Sequence, residues 1–62
     1  MNRSSIDETL ASLLRRERVC WDMAGVFLEN RDAHGLMDIG AELQSLKVAI
    51  AAVTRMGEGR KA

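Results

Sequence analysis

The chain has 62 residues, 47% apolar and 29% charged, with nine basic and nine acidic side chains that cancel and no proline. A chain this short holds at most one small domain, too apolar to be disordered and short of core for a protein that folds alone. Balanced charge argues against a protein that lives on phosphate backbones, and a single cysteine, Cys20, excludes an internal disulfide.

After Met1 the chain is polar to Asp7 apart from Ile6, so no basic-then-apolar leader is expected. Its apolar runs fall far short of the ~20 residues that span a bilayer. The expectation is a cytoplasmic protein without a membrane segment. Few β-branched runs and no turn-punctuated alternation speak for strands, so the fold class expected is all-α.

Ser5-Ile6-Asp7-Glu8 reads as a capping box, in which the Ser5 hydroxyl accepts from the Glu8 amide and Glu8 reaches back. This predicts a first helix from about Ile6 to about Glu29. Asn30-Arg31-Asp32 breaks the pattern, and Asp32 is a good N-cap for a second helix from about Ala33. Gly57 and Gly59 predict its end near Met56, through a left-handed cap, with a frayed tail over 57–62. Equal helices joined by a short turn predict an antiparallel hairpin.

Leu36, Ile39, Leu43, Leu46, Ile50 and Val53 recur at alternating spacings of 3 and 4, a heptad seam. Ile6, Leu10, Leu13, Glu17, Cys20, Ala24 and Phe27 form its counterpart in the first helix. Folding about the turn opposes Phe27 to Leu36, Ala24 to Ile39, Cys20 to Leu43 and Leu13 to Ile50. Glu17 is the one polar member. Either it pairs with Lys47 and sets the register, or it reaches water at the seam's edge. Gly25 and Gly40 fall near one level, where close helix approach would explain them.

One hairpin cannot cover the first helix. Leu14, Trp21 and Leu28 form a second stripe at heptad spacing, and Val19, Met23 and Val26 lie on the other flank. Their apolar arc spans roughly two-thirds of the circumference, against ~100° for a one-sided helix. A homodimer of hairpins forming a four-helix bundle is therefore expected, with Leu14, Val19, Trp21, Met23, Val26, Phe27 and Leu28 as the self-association interface. Met37, Ala41, Val48 and Ala52, on the far side of the second helix, are either tolerated helix formers or a shallow groove for a partner helix.

Nothing in the sequence marks an enzyme. No Ser/His/Asp, Cys/His or HExxH arrangement and no glycine-rich phosphate loop occurs, so no catalytic residue and no cofactor is assigned. A Glu29/His34/Asp38 metal site lacks support from Cys20, which lies about 14 Å along the first helix from the turn. No metal is assigned either. Arg15, Arg16 and Arg18 are the basic cluster that a nucleic-acid contact would use.

In size and layout the chain resembles the Rop-type plasmid copy-number modulators, helical hairpins that dimerise into four-helix bundles and bind RNA loop pairs. The likeness is architectural and transfers no RNA-binding positions. The segment Arg31-Asp32-Ala33-His34-Gly35-Leu36-Met37-Asp38 is similar to the turn of small uncharacterised helical proteins encoded by bacteriophages. The functional expectation is a non-enzymatic module that binds or modulates another protein. The alternatives are a Rop-like RNA or DNA modulator and one half of an obligate hetero-complex, such as a chaperone or antitoxin subunit.

Overall fold

Heptad spacing leaves each segment one apolar edge, and in the computed structural model, which describes residues 3–59, those edges meet. Helix α1 spans Arg3–Glu29 and helix α2 spans Ala33–Gly59, each of 27 residues. They fold back on one another as an all-α hairpin, a rod of 47 × 15 × 13 Å. Among the described residues there is no strand.

The turn is built from backbone hydrogen bonds. Asp32 N–H donates to the Phe27 carbonyl at 2.8 Å and Arg31 N–H to the Leu28 carbonyl at 3.1 Å, the paired bonds of a Schellman cap. That cap needs a left-handed residue, and Arg31 supplies it with φ 55°. Glycine usually stands there, because a Cβ in this region is strained. Asp32 then starts α2. Its Oδ1 accepts from Gly35 N–H at 2.9 Å, and its carbonyl accepts from Leu36 N–H at 3.0 Å. The N-cap expected from the sequence is present.

Every residue of both predicted seams is buried or half-buried. Cys20, Ile39 and Leu46 form the centre, with Leu13, Ala24, Phe27 and Leu43 packed around them. Ile6 is buried at the open end, where its Cγ2 lies 3.6 Å from the place a Cβ on Gly57 would occupy. No side chain among the described residues is fully enclosed. The core is a single seam, one side chain deep.

Three expectations are corrected. Helix α1 starts at Arg3, not near Ile6, so Ser5 lies inside the first turn and is not its cap. Helix α2 runs through Gly57 to Gly59, with no positive φ at either glycine, so the left-handed end at Met56 does not form. Ile6 is buried and lies beside Gly57, so interhelix packing continues to the open end, where the terminal turns of both helices meet. Residues 57–59, where the tail is expected to begin, belong to α2, and 60–62 lies outside the described residues. Thirdly, a Cβ on Gly25 or Gly40 would meet nothing within 4 Å, so neither marks a close helix approach. Gly35 does: its Cβ would stand 2.6 Å from Cδ1 of Phe27.

Candidate functional site

Each helix of a hairpin hides one edge, and the rest of a wide apolar arc stays in water. On α1 that remainder is large. Trp21 is 60% exposed and Leu28 66%, and Leu14, Val19, Met23 and Val26 are exposed as well. These are six of the seven residues assigned to self-association from the sequence. Phe27, the seventh, is placed elsewhere: it is half-buried against Gly35 and belongs to the hairpin's own seam.

The two flanks of α1 differ. On one, Trp21 and Ala24 face Leu36, Ile39 and Leu43 across an apolar groove of about 380 Å³. Gly40 forms part of its wall, and the side chain it lacks leaves space there. Glu17 and Lys47 line the end of the groove farther from the turn. They make no ion pair with each other, since the ion pairs among the described residues are Arg16–Glu42, Arg18–Asp22 and His34–Asp38. Glu17 is half-buried at the seam's edge, and the register-setting pair with Lys47 is not made.

On the other flank Arg16 reaches across the seam. Its Nη2 donates to Glu42 Oε2 at 3.1 Å, joining the two helices over Cys20. Ser12, Arg15, Arg16, Val19 and Cys20 line a shallower depression of about 280 Å³. Arg18 Nε lies 4.0 Å from Asp22 Oδ1, one turn along α1. Two of the three clustered arginines thus have carboxylate neighbours, and Arg15 projects into water.

Met37, Ala41, Val48 and Ala52 are all exposed on α2, with Met37 at 74% and Val48 at 61%. None of the four lines the groove beside Trp21. Near the turn, His34 Nε2 lies 3.4 Å from Asp38 Oδ2, and both are exposed. Among the described residues no three His, Cys, Asp or Glu side chains converge on one point. Cys20 is a free thiol buried in the seam. No helix among the described residues is long and apolar enough to cross a membrane.

Two contributors escaped the sequence. Gly35 is buried beneath Phe27, and Gly40 opens the groove instead of drawing the helices together. A glycine one turn after an N-cap, beside an aromatic one turn before the break, was the available signal for the first. Comparison with protein families, with curated proteins and with solved structures finds no match to the chain. The likeness to Rop therefore stands at the level of the helical hairpin.

Proposed function

We propose that the chain is a non-enzymatic interaction module, a hairpin that pairs with a second copy as a four-helix bundle and binds or modulates another protein. One observation carries this reading: an exposed apolar belt on both flanks of α1, beside a core with four buried apolar side chains among the described residues. Fully burying a large apolar side chain is worth ~1.5–3 kcal/mol. Residues already half-covered, such as Leu14 and Met23, gain about half of that on association. Summed over the belt, this is comparable with the whole stability of a small domain. With one flank used in pairing, the exposed Met37 and Val48 on α2 remain for a protein partner.

A protein partner is favoured over a nucleic acid. Arg16 and Arg18 sit beside Glu42 and Asp22, and the chain has no net charge to attract phosphates. The test is sedimentation equilibrium at low micromolar concentration, with Trp21→Ala for comparison. The reading expects twice the single-chain mass and at least tenfold weaker association for the variant, about 1.4 kcal/mol. A single-chain mass up to hundreds of micromolar would rule out self-association. Salt-sensitive gel shifts with RNA, lost on Arg15→Ala, would favour the nucleic-acid alternative instead.

A further inference from the structure

We infer that the groove beside Trp21 is filled by a second copy of the chain, related by a two-fold axis running along the rod, so that both turns lie at the same end. This rests on the self-associating reading above, and adds which face pairs and in which direction.

The face is complementary to itself in shape. Trp21 stands half out of the groove as a knob, and Gly40 leaves a gap in the opposite wall with nothing within 4 Å of its missing Cβ. The contacts of Ile6 with Gly57 and Phe27 with Gly35 at the two ends of the rod set the register. They put Trp21 level with Ala41 to Glu42, one to two residues or about 1.5–3 Å from the level of Gly40. They also put Glu17 level with Ser45 to Leu46, about 1.5–3 Å from the level of Lys47. Within one hairpin the Trp21 ring does not fill the gap, and the space remains open.

Charge then selects the direction. Glu17 and Lys47 line the same groove, unpaired, within one residue of the midpoints of α1 and α2. Two symmetric arrangements close this face on a copy of itself. With the two-fold axis across the rod, α1 stacks on the partner's α1 and α2 on the partner's α2. Residues at mid-length then meet themselves, placing Glu17 against Glu17 and Lys47 against Lys47. Trp21, about 7.5 Å from the midpoint, lies over the partner's α1 and misses Gly40.

With the axis along the rod, α1 stacks on the partner's α2 and levels are preserved. Glu17 faces the partner's Lys47, Trp21 enters the gap at the partner's Gly40, and symmetry repeats both. Like charges held together in a partly dry seam oppose association, and opposite charges favour it and fix the register. The groove is complete only when the second copy supplies its tryptophan.

The direct test is a distance. A nitroxide on Asn30→Cys in a Cys20→Ala background marks the turn, and pulsed dipolar spectroscopy reads the separation in the dimer. Both turns at one end give less than about 25 Å, set by the ~10 Å between packed helices plus the label arms. The crosswise arrangement gives a separation near the 47 Å length of the rod. A long distance in a species of dimer mass overturns the inference and leaves the self-associating reading standing. A single-chain mass for the unmodified protein sinks both.

Gly40→Leu tests the same point without touching Cys20. A Cβ at Gly40 meets nothing within 4 Å in one hairpin, and circular dichroism checks that helicity is retained, while the gap for the partner's Trp21 closes. At least a tenfold rise in the dimer dissociation constant is expected. Unchanged or tighter pairing refutes the placement.

Discussion

Adding one methyl group at Gly35 is expected to destabilise the hairpin, whereas the same change at Gly25 stabilises it. At Gly35 the new carbon would stand 2.6 Å from Cδ1 of Phe27 and 2.8 Å from its Cε1 and Cγ. Carbon atoms pack best at ≈3.5–4.0 Å, so the ring must retreat by about 1 Å. The ring is itself packed against the Cys20–Ile39–Leu46 centre, so its retreat disturbs the seam. Overpacking of this kind costs ~1–3 kcal/mol, against ~1 kcal/mol gained by replacing a helical glycine. The net expectation for Gly35→Ala is a loss of up to about 2 kcal/mol, at roughly 4–8 °C in Tm per kcal/mol for a domain of this size.

At Gly25 a Cβ meets nothing, so the propensity gain of ~1 kcal/mol stands alone and Tm rises. Thermal unfolding followed by helical circular dichroism, at one fixed chain concentration, reads both variants. Repeating Gly35→Ala in a Phe27→Leu background removes the ring, and the two changes should couple by about 1–2 kcal/mol. A Gly35→Ala chain that melts higher than the parent would refute the close approach at the turn.

Asp32→Ala removes the acceptor for Gly35 N–H and should cost about 1 kcal/mol in urea unfolding. Arg31→Gly relieves a left-handed residue with φ 55° and should stabilise by about 1 kcal/mol; an unchanged denaturation midpoint would contradict the cap geometry. Arg16 and Glu42 are 60% and 43% exposed, so a double-mutant cycle between them should give no more than about 0.5 kcal/mol after solvent screening. That coupling should vanish by 1 M salt, where the Debye length is about 3 Å.

Helix existence and pairing edges were readable because each depends on local order along the chain. Leu36, Ile39, Leu43, Leu46, Ile50 and Val53 repeat at a helical period, and all six end up buried or half-buried. Asp32 announces a helix start because its side chain caps its own backbone three residues on. The exposed belt was legible for the same reason: Leu14, Trp21 and Leu28 lie off the seam whatever the helix packs against. Terminal boundaries were less legible. Ser5 and Gly57 carry local end signals, yet both lie inside helices, at the end of the rod where Ile6 packs beside Gly57, a residue distant in the chain.

The chain's own order thus determined two amphipathic helices, the break between them and the edge each turns inward, since side chains at heptad spacing share a face wherever the helix lies. Three-dimensional packing alone decided what each glycine does. Gly35 is crowded by an aromatic ring across the turn, while Gly40 faces open space beside Trp21. The difference comes from the distance between two backbones and the direction of a ring at each level, quantities set by how the helices meet.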